Sequence, residues 1–407
     1  MAFLNRVRHH PRLFLILMAF VAFVGLGMPD GLLGVAWPSI RGGFGIPLEA
    51  IGMLITAVTA GYMTSAFFSG PLLSRLGVGR LLALSCALSG AGLIGYTLVP
   101  QWWMMVALGV AAGLGAGAID AGLNTYVAAH FGETIMQWLH ACWGVGITLG
   151  PLIMTLGLTR AGTWRVGYYV VAAFELLLAV GFGLTARRWR DGSPNHEQPE
   201  RLTDYRTPMR DSLRVPQVWL SFLMYFLYVG AESGAGVWAY TLLVESRGVD
   251  PALAGFWTGS YWATFTIGRM LAGALASRLR GDALVTVSIA GAVLGALLLI
   301  WNPTQMANVA AVALIGFSIA PIFPALMSGT ARRVGRQHAA NTIGLQMTAT
   351  GFGMMVVPSL MGVLASRLSL EAIPVILLVV YLGLAAIYAV AVFSARSLAR
   401  VREGVRS

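Results

Sequence analysis

Twelve times along the chain an apolar run recurs that is long enough to cross a bilayer, and this constrains the fold more than any single motif. The runs lie at about 13–40, 48–74, 80–100, 103–130, 136–158, 166–186, 216–243, 251–276, 283–301, 306–330, 340–365 and 371–394. Backbone in hydrocarbon has no water to bond, so runs of this kind must satisfy their own N–H and C=O groups, as helices do. The expected fold is therefore an all-α membrane protein of twelve transmembrane helices. Only 11% of the 407 residues are charged and 57% are hydrophobic, whereas a soluble domain carries about 25% charged residues. The first run, from Leu13 to about Ile40, is too long for the apolar core of a secretion signal and should remain as the first span.

A net charge of +11 could suggest a nucleic-acid partner, but the distribution argues for a membrane instead. Every basic residue other than histidine is arginine. With the N-terminus inside, 21 arginines fall at the cytoplasmic ends of the runs or in cytoplasmic segments. Only Arg41, Arg160, Arg165, Arg247 and Arg367 fall outside, and Arg269 lies within a run. The positive-inside rule then places both termini in the cytoplasm, with the chain in a plasma (inner) membrane. The two cysteines, Cys86 and Cys142, both lie in apolar runs and do not form a disulfide framework. The long polar segment at 187–215 separates six runs from six and reads as a solvated cytoplasmic linker. The expected organisation is 1–186 as an N-terminal six-helix bundle and 216–407 as a C-terminal one.

The two halves repeat one another. Gly70-Pro-Leu-Leu-Ser-Arg-Leu76 matches Gly273-Ala-Leu-Ala-Ser-Arg-Leu279 at an offset of 203 residues. Ser85 and Ser288 keep that offset, as do Gly27 and Gly31 against Gly230 and Gly234. Gly144-Val-Gly-Ile-Thr-Leu-Gly-Pro151 matches Gly351-Phe-Gly-Met-Met-Val-Val-Pro358 at an offset of 207. Matches that recur in the same order imply two pseudo-symmetric six-helix bundles with a solute site between them near the midplane.

Ionisable residues at membrane depth are costly, so each is a functional candidate by default. Asp120 and Asn124 are four apart and share one helix face. They read as a carboxylate that gains and loses a proton beside an amide that holds a polar solute, or as a polar pair fastening two helices. Asp30 follows Pro29 in the glycine-rich Gly25-Leu-Gly-Met-Pro-Asp-Gly31, where proline and glycine favour a broken helix beside a cavity. Glu232 binds solute hydroxyls, joins the proton relay or pairs structurally. His140 is a solute hydrogen-bonder, a proton relay or a packing residue; no Cys/His partner at ligand spacing makes it a metal site. Trp143 lies three residues on. Trp238 shares a run with Glu232 and could offer a flat face to a sugar ring, and Gln346 is a further hydrogen-bonding candidate or interhelical glue. Arg269 pairs with an acid or caps helix carbonyls. A lysine-free chain cannot hold a Gly-x-x-x-x-Gly-Lys-Ser/Thr nucleotide loop, and no Gly-x-Ser-x-Gly elbow or His-Glu-x-x-His helix occurs. Neither an ATP-driven pump nor an enzyme is expected, and no cofactor or metal is called for.

The loop sequence Gly70, Ser74, Arg75 and Gly77 is similar to the Gly-x-x-x-Asp-Arg-x-Gly motif of the major facilitator superfamily. Ser74 stands where the family usually has Asp, so the usual charge latch at this loop is altered. Asp30, the Asp120/Asn124 pair and Tyr228-Val-Gly-Ala-Glu-Ser-Gly-Ala-Gly-Val-Trp238 resemble the fucose–proton symporter group, which usually has Glu at the fourth-span position. The resemblance implies the major facilitator fold and proton-coupled sugar symport by alternating access. Asp30 and Asp120 would couple the proton. Asn124, His140, Glu232, Trp238 and Gln346 would bind solute, and Arg75, Arg269 and Arg278 would be gating or structural. The implied partners are a sugar-like solute, a proton and the bilayer, with no nucleic acid, and the implied state is a monomer. A proton-driven efflux antiporter for drugs or metabolites is the first rival, since Gly146-Ile-Thr-Leu-Gly-Pro151 partly resembles the fifth-span motif of exporters. A non-transporting receptor or scaffold is the second.

Overall fold

The computed structural model describes residues 11–131, 133–190, 207–275 and 281–404. Among the described residues there is no strand, and the chain is a succession of helices. The long ones are α1 (Pro11–Phe44), α2 (Ile51–Leu76), α3 (Val78–Leu98), α4 (Trp102–His130), α5 (Glu133–Ala161) and α6 (Arg165–Thr185), followed by α7 (Pro216–Thr241), α8 (Pro251–Leu275), α9 (Gly281–Trp301), α10 (Gln305–Ile319), α11 (Arg336–Arg367) and α12 (Ala372–Gly404). Eleven helical stretches among the described residues are long and apolar enough to span a membrane. The remaining helix is α8, whose 25 residues include Thr258, Ser260, Thr264, Thr266 and Arg269. At about 1.5 Å per residue it is still longer than the ~30 Å hydrocarbon layer. The chain is thus a multi-pass, all-α membrane protein. Arg6, Arg8, Arg201, Arg206, Arg278, Arg280, Arg406 and the whole 191–206 part of the linker lie outside the described residues, as does Ser74's side chain.

Two compact units divide the chain: Met1–His196 with Val249–Ala263, and Glu197–Gly248 with Thr264–Ser407. The segment Val249–Ala263, in the second half of the sequence, therefore packs with the first unit.

Within the first unit, the seam between α1 and α5 is made by glycines. A side chain on Gly27 or Gly31 would collide with the carbonyls of Trp143 and Ile147, and one on Gly146 with the carbonyl of Val24. The second unit repeats this between α7 and α11, where Gly230 meets Val357 and Gly353 meets the Phe226 carbonyl. Two of the sequence repeats are thus the two sides of one close helix pair, built once in each unit. Small residues allow the backbone approach on which helix association in membranes depends.

Proline acts differently at two places. α1 runs unbroken through Pro29 and Pro38, so the break expected beside Asp30 is absent. A single proline removes one backbone bond and the helix carries on. The tenth span, expected as one run over 306–330, instead ends α10 at Ile319 and resumes as Ile322–Ser328. Pro321 and Pro324 are three apart there and free the carbonyls of Phe317 and Ala320, one turn earlier. Gly268 packs directly against the Phe317 carbonyl, and Arg269 Nε donates to the Ala320 carbonyl at 3.4 Å. Tyr225 Oη donates to Phe323 O at 3.2 Å. The Ala320 carbonyl freed at the break is thereby bonded inside the protein rather than left to hydrocarbon.

Candidate functional site

In the first unit, α2 and α4 are held in register by Gly117, where a side chain would strike the Tyr62 carbonyl. One turn beyond Gly117 lies Asp120, and this close approach brings the Tyr62 phenol to its carboxyl. Tyr62 Oη donates to Asp120 Oδ2 in a short hydrogen bond. Asn124 Nδ2 donates to the other oxygen, Oδ1, at 2.9 Å. The i, i+4 spacing expected from the sequence is therefore realised as a direct bond. Both donors are uncharged.

The α1–α5 seam positions the second acid in the same way. Gly27 seats α1 on the Trp143 backbone, and Trp143 Nε1 donates to Asp30 Oδ2 at 3.3 Å. His140, one turn earlier on α5, packs edge-on against Phe23 with ring centroids 5.6 Å apart. Asp30 lies within electrostatic reach of Asp120, and so does His140. Asp30 and His140 are exposed, while Tyr62, Asp120, Asn124 and Trp143 are half-buried. The cluster brings together two carboxyls, an amide, an imidazole and an indole. Asp30 and Asp120 both lie near the middle of their helices, 34 and 29 residues long. Trp262, in the α8 segment that belongs to this unit, adds its ring edge-on to Trp143 at 6.3 Å.

The second unit carries a different arrangement. Tyr228 Oη donates to Glu232 Oε2 in a short hydrogen bond. Arg269 reaches the same pair, with Nη2 3.3 Å from the Tyr228 hydroxyl and 3.8 Å from Glu232 Oε2. Its guanidinium also lies 4.3 Å from the centre of the Phe265 ring. Arg269 thus does both things foreseen for it, pairing with an acid and capping a freed carbonyl.

Trp238 and Gln346 are placed elsewhere. Trp238 is fully buried, and its indole N–H donates to the Pro358 carbonyl at 2.9 Å. Gln346 is fully buried and bonded to Thr330, with Nε2 3.0 Å from the hydroxyl. Neither presents an open face to a solute in this arrangement; each ties α11 to a neighbouring element. Arg75 is exposed near the end of α2, outside both clusters. Tyr62, the phenol bonded to Asp120, is the member of this cluster that sequence reasoning passed over. An isolated tyrosine in an apolar run carries no signal by itself, and the clue was Gly61 and Gly117, which bring α2 against α4.

A family model, Major Facilitator Superfamily, matches residues 15–358 and 222–406. Among curated proteins, the chain is 20% identical over 351 residues to the glucose/mannose transporter GlcP of Bacillus subtilis, covering 85% of this chain and 86% of that one. It is 22% identical over 387 residues to sodium-dependent glucose transporter 1A of Mus musculus, covering 85% and 88%. Among solved structures, the nucleoside transporter NupG superposes with a TM-score of 0.75 at 13% identity, covering 92% of this chain and 98% of that one. FucP, in the outward conformation, superposes with a TM-score of 0.61 at 17% identity, covering 94% and 99%.

Proposed function

Because the chain belongs to the major facilitator superfamily, we propose that it is a proton-coupled symporter that takes up a sugar or related polar solute by alternating access. The observation that carries this reading is the Asp120 carboxyl, tied to Tyr62 and Asn124 and within electrostatic reach of Asp30. A carboxylate in hydrocarbon costs roughly 2.5–3.5 kcal/mol on insertion scales, so a proton that removes the charge eases its passage through an occluded state. Asn124 connects the two ligands. One N–H is held by Asp120, and the amide's remaining N–H and its oxygen are left for solute hydroxyls. His140 and Trp143 complete the solute face, with the indole plane suited to the apolar side of a sugar ring. The names of the glucose transporters that resemble the chain support a sugar as the solute. The arginine distribution supports a plasma (inner) membrane location with both termini and the 187–215 linker in the cytoplasm. Six-span halves at 1–186 and 216–407 complete the organisation we infer.

The test is Asp120→Asn, which mimics the protonated acid. Counterflow of labelled sugar in reconstituted vesicles needs no net proton release and is retained. Accumulation driven by a pH gradient is lost. Full pH-driven accumulation by the variant would remove Asp120 from the coupling role. A sodium gradient that replaces the proton gradient in the unmodified protein would transfer the coupling to sodium.

A further inference from the structure

A third carboxyl in the first unit takes no part in the site above. Glu175, on α6, is 1% exposed. The Ser89 hydroxyl of α3 bonds to its carboxyl, and its Oε2 has no hydrogen-bond partner. The surroundings close it in. Gly90, next to Ser89, brings α3 close to Ala172 and Leu176, and Gly25 brings α1 close to Phe174 and Leu178. An ionised carboxyl enclosed this way, with one oxygen unmatched, is among the costliest groups a membrane interior can hold. A bound proton removes the charge and leaves only an unmade hydrogen bond, a far smaller cost.

We propose that Glu175 is a proton-binding site of the N-terminal unit, separate from the Asp120 carboxyl and linked to Asp30 by charge. The ligand is the proton itself. The titratable groups around Glu175 are Asp30 on α1 and Cys86 on α3, both within electrostatic reach. α5 meets α6 farther along, through Met154 against Gly167, an apolar contact. Two carboxylates that feel each other resist ionising together. Loss of the proton from Glu175 therefore follows neutralisation of Asp30, and the site acts as an inner store that the outer acid controls. The Asp30 part of the proposal rests on the coupling reading above; proton occupancy of Glu175 does not.

Infrared difference spectra of the purified full chain, comparing the unmodified protein with Glu175→Gln, test this directly. At neutral pH the variant lacks one protonated-carboxyl band, and that band shifts on exchange into heavy water. Raising the pH bleaches the band in the unmodified protein, and Asp30→Asn releases the proton more readily. A spectrum with no lost carboxyl band would overturn the proposal, because Glu175 would then be ionised. A band that never bleaches while the protein stays folded, and that ignores Asp30→Asn, would also overturn it and leave a fixed structural acid. If Glu175→Gln does not fold, Ser89→Ala serves instead: removing the hydroxyl shifts the band if it belongs to Glu175, and an unmoved band counts against the proposal. None of these readouts requires transport, so failure here and failure of the symport reading are told apart by the vesicle assay.

Discussion

Asp120 in the first unit and Glu232 in the second each accept a short hydrogen bond from a tyrosine, but their further partners differ. Asp120 is held by Asn124, a neutral amide. Glu232 has Arg269 within ion-pair distance. An acid beside neutral donors can take up a proton without stranding a partner charge. An acid beside a guanidinium cannot, because its neutralisation leaves a cation with nothing to balance it in a low-dielectric interior. On the proposed reading, the changing charge belongs to the first unit and the constant charge to the second. It also explains why Arg269 can keep its bond to the Ala320 carbonyl at the break in the tenth span.

The sharpest way to break this contrast is to remove the guanidinium. Arg269→Met takes the guanidinium away from the buried Glu232 carboxyl and leaves the Ala320 carbonyl without its donor. The expected loss of stability is about 3–5 kcal/mol, the usual cost of breaking a buried pair from one side. Glu232→Gln added to Arg269→Met should recover much of that loss, as seen by thermal unfolding in detergent. Asp120→Asn, in the other unit, should change stability far less. Equal destabilisation by the two single variants would erase the distinction between the units.

The next test concerns the phenol. Tyr62→Phe removes a hydrogen bond to an ionisable group, worth about 1.5–3 kcal/mol. The pH profile of gradient-driven uptake should move, while counterflow at a fixed permissive pH persists. An unchanged profile in a folded Tyr62→Phe protein would mean that the phenol only fastens α2 to α4.

The fold was largely legible because hydropathy over a span is additive and needs no knowledge of partners. The glycine repeats were visible as repeats, but their meaning was not. Only packing shows that Gly27 and Gly146 belong to one seam and Gly230 and Gly353 to its counterpart. The same seam accounts physically for the Gly146–Pro151 stretch that suggested an exporter. Proline was misread once, beside Asp30: one missing backbone bond does not by itself break a helix as long as α1. Within the site, Asp120 with Asn124 was readable because the bond is local, at i, i+4. Tyr62 is 58 residues from Asp120, and Trp143 is 113 from Asp30, so no window of sequence joins them. Trp238 and Gln346 carried two readings from sequence, solute contact or a tie between helices, and in this structure their hydrogen bonds go to Pro358 and Thr330.

Asn124 sharpens the comparison from the solute side. Asn124→Ala removes the amide that joins Asp120 to the solute face. Solute affinity should fall by roughly 1–3 kcal/mol, the cost of leaving a buried polar partner unmet. Equilibrium binding of labelled sugar to the purified protein checks this. Unchanged affinity in a folded variant would detach the amide from the solute and leave it as a prop for Asp120.

The smallest expected effect comes from a second arginine–glutamate pair, this one at a water-facing end of the second unit. α7 ends in a wide turn over Leu242–Ser246, in which the Arg247 N–H reaches back to the Leu242 carbonyl. This turn presents the Arg247 side chain to three neighbours. Its Nε and Nη2 donate to the two oxygens of Glu371 at 3.0 and 2.7 Å, Nη2 also meets the Leu299 carbonyl at 2.8 Å, and Nη1 donates to Asn308. The hydrogen bonds from Arg247 hold the Glu371 carboxyl below the ordinary glutamate range. A lowered acid contributes stability that is fully present above its unfolded value and is lost as pH falls through the folded one. The Glu371 side chain is 46% exposed, so water screens the pair and its contribution should be less than about 1 kcal/mol. Glu371→Gln should therefore barely lower the unfolding temperature at neutral pH, and the gap from the unmodified protein should close in acid below the normal glutamate range. Arg247 itself is only 4% exposed, so Arg247→Met should cost more, through the Leu299 and Asn308 groups it leaves behind. A Glu371→Gln protein destabilised as strongly as Arg269→Met would show that burial does not separate the two pairs, and the contrast between wet and dry ion pairs in this unit would fail.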